Sequence, residues 1–208
     1  MSSAEMNGMG KSRPLASLAT LKTHLSIPLS DTSHDRDLED CLFQVSAAVE
    51  NYMERPVLLN EWEEQIRVRH DDSPLALKLG VWPILSVGAV IWEGQLLPEP
   101  MNGWSFNALC AILYPPGQCG WQPGLYVVQY RAGWIVAGMK NTEGDPLEAT
   151  LPTDIQLAVL IAAQSFSHAR RIPPSSRTQD RSHPSTDFFS LPPEATSLLN
   201  RYLPATMA

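Results

Sequence analysis

Four groups of residues in this 208-residue chain have the types that chemistry uses. His70, Asp71 and Asp72 stand together and could hold a metal ion or share acid–base work. They also begin the turn-forming run His70-Asp71-Asp72-Ser73-Pro74, and an ordinary exposed turn is the simpler reading. Cys110 and Cys119, with the distant His168, do not have zinc-site spacing. His168, Arg170 and Arg171 gather at the end of a helical stretch, where the helix dipole favours cations. Arg170 and Arg171, with Arg177 and Arg181, also form a candidate basic patch that could meet an acidic partner or pass DNA. Six tryptophans, at 62, 82, 92, 104, 121 and 134, either fill the core of a small sheet or form a contact surface. The sequence has no GxGxxG after a strand, no P-loop, no HExxH, no GxSxG and no CxxC pair. No carboxylate pair is placed to make an active site. These patterns name no catalytic residue, no metal ligand and no cofactor.

These residues must be positioned by a small set of elements. The clearest is residues 35–56, DRDLEDCLFQVSAAVENYMERP. Leu38, Leu42, Val45, Val49 and Tyr52 step by four, three, four and three, which places them on one side of a helix. Asp35, Asp37, Glu39 and Asp40 crowd its first turns, Ser33 is its expected N-cap, and Pro56 stops it at Arg55. Before it, LASLATLKTHL at 15–25 repeats Leu15, Leu18, Leu21 (or Lys22) and Leu25, a shorter amphipathic helix ended by Pro28. The two should pack as a hairpin.

After Pro56 the period changes. Ile66 and Val68 alternate with Arg67 and Arg69, and Leu75, Leu77 and Leu79 alternate with Ala76 and Lys78. Residues 87–92 read as a strand turned by Glu93-Gly94 into 95–97, residues 104–114 hold one or two short strands, and LYVVQYR at 125–131 is the last strand. Thr153-Asp154-Ile155-Gln156 fits a capping box. The helix it opens carries Ile155, Ala158 or Val159, Ala162 and Phe166 on one face and ends before Pro173-Pro174. Residues 194–202 can form a short last helix presenting Leu198, Leu199 and Tyr202.

The expected fold class is α+β: mainly a helical bundle (an N-terminal helix hairpin plus a long C-terminal helix) with an inserted small antiparallel β-subdomain and an extended C-terminal tail. The divisions are 1–14, a flexible N-terminal tail; 15–56, the hairpin; 57–134, the β-subdomain; 135–152, a loop; 153–172, the helix completing the bundle; and 173–208, an extended C-terminal arm with a short terminal helix.

With 15 basic and 22 acidic residues the net charge is −7, which argues against a broad basic grip on nucleic acid but does not exclude a protein that lets DNA slide past. Proline is frequent, 18 in all, with six in the last 37 residues, so that region should be loop-rich. Three cysteines and the absence of an apolar leader predict a reducing compartment and no disulfide framework. No stretch approaches membrane-spanning length.

The order of pieces from about residue 15 to 203 resembles the head–tail connector (adaptor) proteins of tailed bacteriophages and related gene-transfer particles. The pieces are LASLATLKTHL, the helix closing on Glu50 to Pro56, LKLGVWPILSVGAVIWEG, VVQYRAGW, LPTDIQLAVLIAAQSFSHARR and LLNRYL. The Pro-Gly-rich stretch 98–123 departs from the pattern as an enlarged β-insertion. The resemblance implies a structural virion protein, not an enzyme. Copies form a ring, usually of twelve, under the portal protein, through which DNA passes without sequence-specific binding. The ring gives the docking surface for a stopper or tail-completion protein, with no membrane involved. It sits in the neck of the virion and is assembled in the host cytoplasm. It also implies that the C-terminal arm reaches the portal; here that arm carries Phe188, Phe189, Leu191, Leu198, Leu199 and Tyr202. The competing readings are a small cytosolic enzyme with its site around His70, Asp71, Asp72 and the loop 134–151, and a stopper or tail-completion protein of the same particle. The free chain is expected to be a monomer that assembles on its partner.

Overall fold

Alternation of apolar and polar residues after Pro56 dictates strands, and the longest pair anchors the first compact unit. The structure, a computed structural model, describes residues 3–6, 13–71, 74–99, 103–117, 120–140, 144–171 and 190–203, with 3–6 and 168–171 as backbone alone. The chain divides into two compact units: Met1–Lys11 with Pro56–Ile135, and Ser12–Arg55 with Val136–Ala208.

The first unit is built on two antiparallel sheets. The larger joins β1 (Ser3–Met6), β2 (Asn60–Val68), β8 (Gly124–Ala132), β4 (Ile84–Trp92) and β5 (Gln95–Leu96) in that order. The smaller joins β3 (Leu77–Lys78), β7 (Ile112–Tyr114) and β6 (Ser105–Asn107). β2 and β8 pair without a break from Asn60↔Ala132 to Val68↔Gly124. On β2, Trp62, Glu64 and Val68 are buried while Glu61, Gln65 and Arg67 are exposed, the two-residue period of a half-buried strand. β4 carries two register shifts, between Ile84 and Ser86 and between Val87 and Ala89. Its hairpin with β5 turns on Glu93 (φ 48°) and Gly94 (φ 81°), both left-handed, which matches the twist of the strands. Gly133 (φ 117°) is needed for closeness as well as conformation, since a Cβ there would lie 2.4 Å from the Leu58 carbonyl oxygen.

The tryptophans are core. Trp62, Trp104 and Trp121 belong to one buried cluster with Leu79, Val90, Leu113, Tyr126 and Val128, and Trp82 and Trp92 pack half-buried against it. Trp121 stacks on Trp104 at 6.3 Å and meets Tyr126 edge-on at 5.1 Å.

The second unit is helical: α1 (Leu18–His24), α2 (Asp35–Tyr52), α3 (Thr153–Arg171) and α4 (Pro193–Leu199). α1 starts on Ser17, whose Oγ accepts from the Thr20 amide at 3.1 Å. α1 and α2 end alike. The Ser26 and Ile27 amides donate back to the Thr23 and Lys22 carbonyls, and those of Glu54 and Arg55 to Asn51 and Glu50. Ser26 and Glu54 take positive φ (57° and 54°). These are Schellman endings, each followed by proline. They explain why α2 stops at Tyr52 and not at Arg55: the motif occupies the residues just before Pro56. Nor is Ser33 the N-cap. That position falls to His34, and Ser33 bonds the Asp31 carboxylate instead. Those bonds from Ser33 hold the Asp31 carboxyl below its usual range.

Leu38, Leu42, Val45 and Val49 are buried, as are Ile155, Ala158, Val159, Ala162 and Ala163 on α3. The alanines let the helices approach closely, and Cys41 Sγ lies 3.8 Å from the Ala163 carbonyl oxygen. Lys22, 3 % exposed, reaches from α1 to the Asp31 carbonyl (2.7 Å) and the Asp35 carboxylate, tying the hairpin loop together.

The expected fold class is corrected. The fold is α+β, but it is not mainly a helical bundle with a small β-insertion: two sheets, with three strands of nine residues, build a whole unit. The stretch 98–123, read as an enlarged β-insertion with one or two short strands over 104–114, supplies β6, β7 and the Trp104–Trp121 stack. The short terminal helix expected over 194–202 is α4 with its 3-10 turn; it packs on α3 and buries Ala195 and Leu199 completely, while residues 172–189 and 204–208 of the expected arm lie outside the described residues. Ser3–Met6, in the stretch expected to be a flexible tail, forms β1 on the edge of β2.

Candidate functional site

The residues expected to act fall into three groups in the structure. His70 and Asp71 are exposed in a turn, and Asp72 lies outside the described residues. Among the described residues no group of three His, Cys, Asp or Glu side chains is placed to hold a metal ion. Cys110 is exposed, Cys41 is buried, and Cys119 lies outside the described residues.

Arg170 and Arg171 close the last turn of α3. Their side chains, like Arg177 and Arg181, lie outside the described residues, as do Phe188 and Phe189. Leu191 and Leu198 are half-buried. Leu199 and Tyr202 are buried, at 0 % and 8 % exposed, within the second unit.

The geometry around those last two residues is the most elaborated in that unit. α4 begins at Pro193, which suits the first turn of a helix because its missing N–H would have no partner there. It runs into a 3-10 turn over Asn200–Tyr202. Arg201 Nη1 donates to Asp154 Oδ2 at 2.6 Å, and its guanidinium lies 5.1 Å from the Tyr202 ring centroid. Tyr52 Oη donates to Asn200 Oδ1 at 2.6 Å. The last helix is thus pinned at the start of α3 and the end of α2. Burial pulls the Arg55 guanidinium down to about 10, partly opposed by Tyr202, and burial pushes the Tyr202 hydroxyl up. Tyr52 was legible as helix face. The Arg201–Asp154 and Tyr52–Asn200 pairs were not, because nothing in the sequence links residues so far apart.

Among the described residues each unit carries a cavity open to solvent. One, about 210 Å³ beside the large sheet, is lined by Glu61, Trp62, Ser86, Gly88, Gln129, Tyr130 and Arg131. The other, about 320 Å³ in the second unit, is lined by residues that include Arg13, Ser17, Thr20 and Gln156. Neither brings together a nucleophile and a base, and neither is lined by His70 or Asp71. The buried polar cluster of the first unit holds structure together instead. Glu64 Oε2 accepts from the Gly80 amide (2.8 Å) and the Tyr130 hydroxyl (2.9 Å), and that hydroxyl accepts from the Val81 amide (3.3 Å).

No protein-family model matches the chain, and no curated protein matches it. Solved structures do. One neighbour is a chain from the neck of an empty gene transfer agent particle computed with C6 symmetry: TM-score 0.58, 16 % identity, covering 100 % of this chain and 97 % of that one. A chain from the virion of a native gene transfer agent particle matches at TM-score 0.56 and 14 % identity, covering 100 % and 97 %. A chain from the neck of a native particle computed with C12 symmetry matches at 0.55 and 15 %, covering 99 % and 97 %. At such identities the likeness establishes a shared fold over the whole chain.

Proposed function

We propose that this chain is a structural neck protein of a phage-like particle, and within the neck its head–tail connector. The observation that carries the reading is that chains from particle necks share its fold from end to end, both units included. In this role copies form a ring of twelve beneath the portal protein, offer a surface to the stopper or tail-completion protein, and let DNA pass without reading its sequence. The net charge of −7 suits a conduit that does not arrest DNA. The chain does no catalysis.

Portal binding is assigned to the segment leading into α4. Phe188, Phe189, Leu191 and Leu198 supply the apolar contacts. Leu199 and Tyr202, buried in their own unit, anchor the end of that segment. Arg170, Arg171, Arg177 and Arg181 face the DNA or an acidic partner surface. The test replaces residues 175–189 with a short Gly-Ser linker, leaving α4 in place. The variant should melt like the parent yet fail to attach to portal-bearing, DNA-filled heads. Undiminished attachment removes the portal assignment, and a particle that stays sealed and tailed without this chain removes the connector reading altogether.

A further inference from the structure

We infer that β1 is an exchanged arm: in the assembled ring, Ser3–Met6 of one copy pairs with the β2 edge of the next copy. The inference rests on the ring proposed above.

The two edges of the large sheet are built differently. At one edge β4 is paired by the two-residue β5 only near its end, at Ile91 and Trp92. Its remaining length carries both register shifts, a device that discourages further pairing. At the other edge β2 runs straight for nine residues, with no shift in its ladder to β8. Such an edge presents evenly spaced backbone donors and acceptors to any incoming strand. β1 occupies four rungs of it, Trp62 to Gln65, and leaves Ile66 to Val68 without a partner from β1.

The hold of β1 on its own β2 is slight. Four rungs are few for a strand separated from its partner by more than fifty residues of chain. The register sets Glu5 directly across from Glu63. Every copy carries both the same strand and the same edge, so exchange substitutes one identical ladder for another at little cost. Repeated head to tail, it links each copy to the next around a ring.

The test uses the full-length chain with Cys110→Ser and Cys119→Ser. One version carries Glu5→Cys alone, another Glu63→Cys alone, and a third carries both. Particles are assembled with the two singly substituted chains together, then treated with a short bis-maleimide. Exchange predicts a cross-chain dimer, and a ladder of higher multiples from the doubly substituted chain. If that chain instead closes only on itself in particles, and the single variants give no dimer, the exchange is overturned while the neck reading stands. Crosslinking of Glu5→Cys to a different particle protein, or no crosslink at all, also overturns it. Absence of the chain from purified particles overturns the neck reading and this inference with it.

Discussion

Glu64 is the residue that most repays attention, because a carboxylate 1 % exposed inside a sheet core is costly unless its partners are in place. Its partners come from two directions, the Gly80 amide and the Tyr130 hydroxyl. Glu64→Ala strands both donors and should cost about 3 kcal/mol, by the penalty for unmade buried hydrogen bonds. Glu64→Gln keeps an acceptor and should cost less than half of that. Chemical denaturation followed by tryptophan fluorescence distinguishes the two. Tyr130 adds a pH signature. Burial first, and the Glu64 carboxylate second, push its hydroxyl well above the usual tyrosine range. A group with a raised folded value contributes stability that is complete below its unfolded value, near pH 10, and is lost as pH rises toward the folded value. Above pH 10 this one residue should therefore steepen the loss by about 1.4 kcal/mol per pH unit. Tyr130→Phe should flatten the alkaline limb by that slope, while lowering stability at neutral pH through the lost bond to Glu64.

Among the elements, the helix ends are the informative part. Ser26 and Glu54 hold the left-handed position of a Schellman ending without being glycine. A side chain there costs about 1 kcal/mol, so Glu54→Gly should stabilise the helical unit by up to that amount despite glycine's greater unfolded freedom. Thermal unfolding followed by circular dichroism reads the change. Gly133 is the opposite case: Gly133→Ala drives a Cβ into the Leu58 backbone and should unfold the sheet unit or cost more than 3 kcal/mol. α4 is a third test. Removing residues 190–208 takes Ala195, Leu199 and Tyr202 from their seats on the helical unit and should cost several kcal/mol at about 1.5–3 kcal/mol per large side chain. Helix content should then fall by more than the deleted residues account for.

At the scale of the whole molecule, the proposed neck role would rest on shape and docking surface. The free chain is proposed to be monomeric, since four rungs of β1 are too few to hold two copies together without the portal to align them. Native mass spectrometry of the dilute chain should show one copy; a stable free ring would contradict this. Particles made without the chain should contain filled heads lacking tails, counted by electron microscopy.

Some of this was legible from the residues alone. The face of α2 followed from the spacing of Leu38, Leu42, Val45 and Val49, because a helix repeats locally and its stripe needs no knowledge of what covers it. The Glu93-Gly94 turn was legible for the same reason: its conformation belongs to two residues. The sheets' share of the fold was only partly legible: short strands were expected over 104–114, but β6 and β7 are three residues each, and that β7 pairs with Leu77–Lys78 of β3 is written in no local pattern. β1 could not be read at all, because SAEM has no period and becomes a strand only when the β2 edge supplies its hydrogen bonds. Periodic sequence thus determined the helices and the long strands. What the short strands pair with, how Glu64 survives in the core, and where the last helix seats were decided by contacts between distant residues, which no local pattern encodes.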